Sequence, residues 1–386
     1  MKAKHMAAKS TRGQSRAKNR QLILQHVHAG TADNRAALAQ ATGLTKPTVG
    51  DIVSTLIDEG LLVEAGRGKS TESGGKRPRL LEFLPSARQI IGVSIQNDRI
   101  VGALADLNGE PYVHHELALR DVDGADPLHL LETVINGLAA QLTTQLLCIG
   151  ISTPGVVDSS EGVVRLARRF GWKDLHMAAH FEGIYDVPVY IGNDTELATR
   201  ARLAMQADDD VRNIVTIIIE DRIEVGFAFA GRAYHHSDDL GKLQLDSDDT
   251  RRWIDLLGWA ALQSLATQGR GQYPQSLLPA DWDTIDLLYG QHMGDPLCEY
   301  LYDELATNLA KVFAWIVGLL RPDEIVLAGA MADLGCALID RVEAHTLRLL
   351  PAGLVDNVSF SVETDATLSL NGALVLALQN ELGILR

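Results

Sequence analysis

Two short helical segments that meet at a turn, within residues 34–83, constrain this chain more than any other stretch of its sequence. Asn34 and Thr45 are good N-caps for the two helices, because their side-chain oxygens accept hydrogen bonds from first-turn amides. Gly43 supplies the turn between the helices, and Pro47 is tolerated in the first turn of the second. Helical spacing predicts a buried face on the second helix. That face comprises Val49, Ile52, Val53, Leu56 and Ile57.

The outward positions at the start of the second helix hold small and polar side chains. Such a surface suits a helix inserted into the major groove of DNA, where residues of the first turns meet base edges. We therefore predict that Lys46, Thr48 and Asp51 contact bases.

A basic, glycine-rich loop follows, between predicted strands at residues 61–63 and 80–83. Two helices, a turn and a basic hairpin together predict a winged helix-turn-helix. The alternative is a small helical bundle with a solvated basic loop. In the winged interpretation, four basic side chains of the hairpin approach phosphates or the minor groove. They are Lys69, Lys76, Arg77 and Arg79.

Charge is divided unevenly along the chain. Residues 1–90 hold 15 Lys and Arg against 7 Asp and Glu, whereas the remaining residues hold 20 against 43. The formal net charge of −15 therefore combines a basic head with an acidic body. A basic head is typical of nucleic-acid binding, and an acidic body would repel DNA. We expect only the head to contact double-stranded DNA.

Strand and helix patterns alternate twice after Gln89, which predicts a two-lobed α/β body. Apolar content of 46% and charged content of 22% are those of a soluble globular protein. No apolar run follows the basic start, and none is long enough to cross a bilayer, so we expect a cytoplasmic protein. Three separated cysteines, Cys148, Cys298 and Cys336, predict neither a disulfide framework nor a cysteine-based zinc site.

Three segments of the body resemble a known family. They are Ile-Gly-Ile-Ser-Thr-Pro-Gly-Val-Val-Asp at residues 149–158, Gly-Asn-Asp at 192–194 and Ile-Val-Leu-Ala-Gly-Ala at 325–330. Together with the head, they resemble the ROK family of bacterial sugar repressors and sugar kinases. The resemblance implies an actin-like, ribonuclease H-like body that binds a sugar between its lobes.

Composition and pattern suggest where the head begins and ends, and the resemblance suggests how the body divides into lobes. Residues 1–16 would be a flexible basic arm, and residues 17–86 the winged helix-turn-helix domain. Residues 87–205, completed by a C-terminal helix at 369–386, would form the first lobe, and residues 206–368 the second.

Two departures from the family pattern concern phosphate binding. The family's kinases carry Asp-x-Gly-Gly-Thr after the first strand of the body, where this chain has Ser-Ile-Gln-Asn-Asp at residues 94–98. A second glycine-rich loop aligns with Glu-Asp-Arg-Ile-Glu-Val at residues 220–225. Glycines in such loops let backbone N–H groups approach phosphate oxygens, whereas side chains block the approach and carboxylates repel a polyphosphate. We therefore predict that the chain needs no nucleotide cofactor and has no kinase activity.

The resemblance places a set of ligand-binding candidates between the lobes. Asp194 aligns with the general base of the kinases, and hydrogen bonding to sugar hydroxyls is the role that we expect here. Capping of the following helix is a compatible alternative. Lys242 replaces a family histidine, and it would either hold an acidic ligand or lie in solvent. The full set is Pro154, Gly155, Asn193, Asp194, Asp239 and Lys242.

Metal binding is not expected. The family's zinc motif needs cysteines soon after residue 242, and no cysteine lies between Cys148 and Cys298. We expect residues 250–275 to be held by helical packing instead. His235 and His236 lie beside Asp238, but adjacent loop residues rarely aim at one ion.

Three functions fit the sequence. The first is a repressor of carbohydrate-related genes, binding an inverted-repeat operator as a homodimer or tetramer, with a sugar or sugar derivative as effector. The second is a DNA-binding dimer whose body no longer senses a ligand. The third is an ATP-dependent sugar kinase with a DNA-binding head, which the two altered loops oppose.

Overall fold

The N-terminal head of the computed structural model is a helix-turn-helix followed by a two-stranded hairpin. The model describes residues 12–67, 78–119, 127–206, 211–220, 222–234, 240–246, 249–351, 353–354 and 357–385. Gly43 ends the second helix in the left-handed conformation (φ 69°). The elements of the head are α1 (Arg12–His28), α2 (Arg35–Thr42), α3 (Lys46–Asp58), β1 (Leu62–Arg67) and β2 (Arg79–Phe83).

Both predicted caps are present. The side chain of Asn34 accepts from the amides of Ala36 and Ala37 at 3.1 and 3.0 Å, and Thr45 Oγ1 accepts from the amide of Thr48 at 3.4 Å. The antiparallel pairing of β1 with β2 confirms the hairpin. One boundary was wrong, because α1 begins at Arg12 and residues 12–16, assigned to a flexible arm, are helical.

The first lobe is built on a five-stranded sheet in the order β10-β6-β3-β4-β5, in which β3, β6 and β10 are parallel. Gly102, on β4, faces Val134 and Leu138 of α4, so that helix covers one side of the sheet. The elements are β3 (Gln89–Ile95), β4 (Arg99–Ala105), β5 (Pro111–Ala118), α4 (Pro127–Ala139), β6 (Leu146–Thr153), β7 (Val156–Asp158), β8 (Val163–Ala167), β9 (Trp172–Leu175), α5 (Met177–Tyr185), β10 (Val189–Asn193) and α6 (Asp194–Ala204).

The second lobe repeats this topology. Its sheet has the order β13-β12-β11-β16-β17, again with two antiparallel pairs at one end and two parallel pairs at the other. Leu257, Leu262 and Ala266 are buried in its core, so helical packing holds residues 250–275. The elements are β11 (Ile214–Ile219), β12 (Ile223–Phe229), β13 (Arg232–Tyr234), β14 (Gln244–Asp246), β15 (Asp249–Arg252), α7 (Ile254–Leu257), α8 (Trp259–Gly269), α9 (Thr284–His292), α10 (Pro296–Leu320), β16 (Glu324–Ala328), α11 (Gly335–Leu349) and β17 (Ser359–Glu363).

A final helix, α12 (Leu368–Glu381), returns to the first lobe and covers the side of its sheet opposite α4. Gly150 of β6 permits the close approach, since a Cβ there would lie 2.1 Å from the carbonyl oxygen of Ala373. The later turns of α12 share one hydrophobic core with Ile23 and Leu24 of α1. Each fully buried side chain of this size contributes about 1.5–3 kcal/mol, so this core fixes the head to the first lobe.

Among the residues that the structure describes, no helix combines the length and the apolar character that a membrane span requires.

Candidate functional site

Helix α3, which the sequence predicts to contact bases, packs its apolar side against the rest of the head. Val49, Ile52, Val53 and Leu56 are buried, while Lys46 and Asp51 are exposed on the opposite side. Thr48 is half-buried, and its hydroxyl lies 2.8 Å from that of Thr45 at the start of the helix. The side chains of Lys46 and Asp51 are therefore accessible from outside the head, and the hydroxyl of Thr48 keeps hydrogen-bonding capacity beyond its contact with Thr45.

At the base of the hairpin, Arg79 is held by a carboxylate. Glu64 accepts from Arg79 and, at 2.8 Å, from Nη1 of Arg35 at the start of α2. The hydrogen bonds from Arg79 and then Arg35 lower the pKa of Glu64. Glu64 thus joins β1, β2 and α2 and keeps two guanidinium groups on one side of the head. The other predicted hairpin contacts, Lys69, Lys76 and Arg77, lie outside the described residues.

Between the two lobes lies a cleft with a cavity of about 290 Å³. It is lined by residues at or just beyond the carboxyl ends of strands of both sheets, including Ile95, Pro154, Ile218, Ala328 and Thr364. This edge of an α/β sheet is where ligands usually bind, since strand ends and helix starts converge there. The cleft is therefore the candidate ligand site of the body.

Asn193 and Gly155, two of the predicted ligand contacts, lie next to the cleft in sequence but are not among its lining residues. Asn193 is only 3% exposed, and its Nδ2 donates to the carbonyl oxygen of Gly155 at 3.0 Å. Its Oδ1 accepts from the amides of Thr195 and Glu196 at 3.0 and 3.1 Å, which makes it the N-cap of α6. Gly155 has a φ of 104°, and a Cβ there would lie 2.4 Å from the carbonyl oxygen of Leu166. Both residues thus hold the backbone that presents Pro154 and Asp194 to the cleft.

Asp194 is the central acid of the cleft, with a side chain 19% exposed. Its Oδ1 accepts from the amide of Thr195 at 2.9 Å, and its Oδ2 lies 4.0 Å from Nη2 of Arg222. Burial and then the charge of Glu224 raise its pKa well above the ordinary value, although Arg222 opposes the shift. Asn193 is the N-cap, so the carboxylate of Asp194 stays directed at the cleft.

Two segments, one from each lobe, contact each other across the cleft. Nδ2 of Asn97, on the first lobe, donates to the carboxylate of Glu220, on the second. Arg169 steadies this contact by donating to the side-chain oxygen of Asn97 at 2.8 Å and to its backbone carbonyl. Arg222 pairs with Glu224 at 3.0 Å. Asp221 lies outside the described residues. Charged and polar side chains therefore occupy this part of the cleft.

The described lining of the cleft is strongly acidic. Arg99 and Arg222 are its only basic residues in the part of the chain that the structure describes. Its carboxylates are Asp98, Asp194, Glu220, Glu224, Asp333, Glu363 and Asp365.

The structure does not bring every predicted ligand contact to the cleft. Lys242 is exposed at the end of a short 3-10 turn and is not part of the lining. Asp239 lies outside the described residues, as do His235, His236 and Asp238.

Sequence reasoning missed the acids from the C-terminal part of the second lobe. Asp333 follows the end of β16, and Glu363 and Asp365 lie at the end of β17. Their position at strand ends was the available signal.

Comparison with known proteins agrees with this arrangement. Residues 90–250 match the sequence model of the ROK family. The xylose repressor of Bacillus subtilis is 28% identical over 236 residues, which cover 59% of this chain and 60% of that protein. The chain thus spans about 60% of the length of this curated relative.

Solved structures share the fold. A ROK family transcriptional regulator, described as a homolog of the E. coli MLC protein, superposes with a TM-score of 0.81 at 20% identity. That match covers 95% of this chain and 96% of the regulator. A ROK family glucokinase from Streptomyces griseus, in complex with glucose and AMPPNP, gives a TM-score of 0.63 at 18% identity. It covers 75% of this chain and 99% of the kinase. The predicted fold, a head followed by a two-lobed actin-like body, is confirmed.

Proposed function

We propose that this chain, which carries a ROK family domain at residues 90–250, is a sugar-responsive transcriptional repressor. The observation that carries the proposal is the exposed side of α3, with Lys46 and Asp51 directed outward from a basic head, on a body with an interlobe cleft. The names of its relatives support the same role, since the xylose repressor of Bacillus subtilis is among them. We infer that the protein acts in the cytoplasm on carbohydrate-related genes.

Double-stranded operator DNA is the proposed partner of the head. A homodimer or tetramer would place two heads on an inverted repeat, with half-sites about 34–36 Å apart or a multiple of that distance. Lys46, Thr48 and Asp51 would read bases. Arg79 would contact the DNA backbone, joined by Lys69, Lys76 and Arg77.

The sugar effector would bind in the cleft, beside Pro154, Gly155, Asn193, Asp194 and Asp239. Helix α12 offers a direct connection from there to the head. Leu368 and Ser369, at its start, line the cleft. Near the other end of α12, the carbonyl oxygens of Asn380 and Gly383 accept hydrogen bonds from α1. Closure of the lobes on a ligand would therefore move the head, which couples two sites through one two-state element.

The experiment that tests this function is fluorescence anisotropy on DNA from upstream of the coding region, at fixed salt, with and without a panel of sugars. Salt is fixed because phosphate contacts make the affinity salt-dependent. We expect tight binding that one sugar shifts several-fold. The Lys46→Ala variant should bind about 1–3 kcal/mol more weakly, the usual effect of losing one base contact. Unchanged affinity of this variant would show that α3 does not read the operator.

Two alternatives give different results in the same assay. A ligand-blind DNA-binding dimer would bind the operator tightly and ignore every sugar. A sugar kinase would transfer phosphate from ATP to a sugar, and Asp194→Asn would abolish the transfer. We propose that the protein is not an enzyme, because the resemblance aligns Asn97, Glu220 and Arg222 with the glycine-rich loops of the family's kinases.

A further inference from the structure

We propose that the interlobe cleft selects an uncharged sugar as effector and rejects the phosphate ester of the same sugar. This inference rests on the proposed function, because it names the chemical class of the effector for the same cleft.

The charges that line the cleft oppose an anionic ligand. Seven carboxylates face two guanidinium groups among the described lining residues. Both guanidinium groups are already paired. Arg99 lies 3.1 Å from Glu116 and 3.4 Å from Asp98, and Arg222 lies 3.0 Å from Glu224. A phosphate ester would therefore meet an excess of negative charge with its potential counter-charges engaged elsewhere.

Helix starts, the usual binding sites for phosphate, are occupied at the cleft. The first amides of α6 are taken by Asn193, and one of them also by Asp194 at 2.9 Å. At the start of α12, Asp365 accepts from the amide of Thr367 at 2.7 Å and from its hydroxyl at 2.6 Å. A phosphate group would have to displace these side-chain oxygens from the amides that it needs.

A neutral sugar is not repelled by the carboxylates and does not need the helix-start amides that are already occupied. Carboxylates accept hydrogen bonds from hydroxyl groups, and each has several lone pairs for this purpose. Among the described residues, Asp333 lines the cleft without a hydrogen bond or ion pair of its own. Ile95, Ile218 and Ala328 provide apolar surface for the C–H faces of a sugar ring. The lining thus suits a ligand that donates hydrogen bonds and carries no negative charge.

The test is calorimetric titration of the full chain with D-xylose, D-glucose and N-acetylglucosamine, each beside its terminal phosphate ester, at one ionic strength. We expect one free sugar to bind and its ester to bind about ten-fold more weakly or worse, a difference of about 1.4 kcal/mol. An ester that binds as tightly as its parent sugar would overturn the inference, and so would the absence of binding by every free sugar. Operator binding, measured in parallel, would separate that failure from failure of the proposed function.

Charge variants test the physical cause. Asp333→Asn should narrow the ratio between sugar and ester affinities several-fold, because it removes one negative charge from the cleft. Asp340→Asn, an exposed aspartate of α11 outside the lining, is the matched control and should leave the ratio unchanged. Equal ratios in the two variants and the unmodified protein would show that the cleft charge does not set the selectivity.

Discussion

Asp194 and Glu224 meet where the two lobes face each other, and the charge of Glu224 opposes ionisation of Asp194. Burial makes the larger contribution to the raised pKa of Asp194, and Arg222 offsets only part of it. The raised pKa makes the ionised form of Asp194 costly for folding.

The pH dependence of stability should reveal this cost. An aspartate whose pKa is raised in the folded state lowers the free energy of unfolding, and this effect is complete at pH values above the raised pKa. The effect disappears as the pH falls below the ordinary pKa of 3.8, because the aspartate is then protonated in both the folded and the unfolded state. Asp194→Asn should therefore raise the melting temperature at pH 8 by about 2–4 °C for each kcal/mol recovered, and by much less near pH 4. Differential scanning calorimetry measures this. Asp340→Asn controls for the change in net charge, and a gain of the same size at both pH values would refute the assignment.

Gly50 is a second residue that lowers the stability of the fold, and this loss needs an explanation. It lies inside α3, where glycine is about 1 kcal/mol less favourable than alanine. A Cβ at this position would meet no atom within 4 Å, so packing does not require glycine. Its side of the helix also carries Lys46 and Asp51, which suits close approach of the helix backbone to a base edge.

Replacement of Gly50 by alanine should therefore separate stability from binding. We expect the free energy of unfolding to rise by about 1 kcal/mol and the operator affinity to fall about ten-fold, since the added methyl group holds the helix away from the bases. Gly183→Ala is the matched control, because Gly183 lies in α5 with the same open surroundings. That variant should gain stability and keep its operator affinity. Unaltered affinity of Gly50→Ala would place the DNA elsewhere on the head.

At the scale of elements, α12 connects parts of the chain that are far apart in sequence. Ser369, at its start, exchanges a 2.8 Å hydrogen bond with Ser94 of β3 beside the cleft. Near its end, Gln21 of α1 donates to the carbonyl oxygen of Asn380 at 2.8 Å, and Gln25 donates to that of Gly383. A helix held at both ends by hydrogen bonds transmits displacement better than a loop would.

Removal of both glutamine contacts should uncouple the two sites. In the double variant Gln21→Ala, Gln25→Ala, we expect the sugar-dependent change in operator affinity to shrink several-fold. Operator affinity without sugar, and sugar affinity without DNA, should each stay within about three-fold of the original, since neither site is altered. Anisotropy and calorimetry measure the three quantities. Gln141→Ala, an exposed residue in the turn after α4, serves as control. If the sugar changed operator affinity as much in the double variant as in the original protein, α12 would be excluded as the connection.

At the scale of the whole molecule, the proposed function assigns DNA binding to the basic head and sugar binding to the acidic body. Phosphate contacts by the head would release counter-ions from DNA, so operator affinity should fall steeply as salt rises from about 0.1 to 0.3 M. Binding of an uncharged sugar in the cleft releases no such ions and should change little over this range. Titrations at several salt concentrations test both expectations. A salt slope for sugar binding as steep as that for DNA would mean that the effector is charged.

Much of the fold follows from local pattern. Asn34, Thr45 and the buried face of α3 are recognisable because capping and helical periodicity act within a few residues. The order of strands and helices predicted the two-lobed body for the same reason. The start of α1 was misplaced, because the polar residues at its beginning give no periodic signal.

The sequence by itself determined most elements of this protein and its basic head, since each depends on neighbouring residues. Only the tertiary structure decided which residues meet in the cleft. Asp333 and Glu363 join Asp194 there because parallel strands of two sheets end at the same place, a fact that no local pattern contains. The tertiary structure likewise decided that Asn193 caps α6, that Lys242 stays outside the lining and that α12 touches both cleft and head. Contacts between distant segments depend on the packing of whole lobes, and packing is a property of the folded molecule.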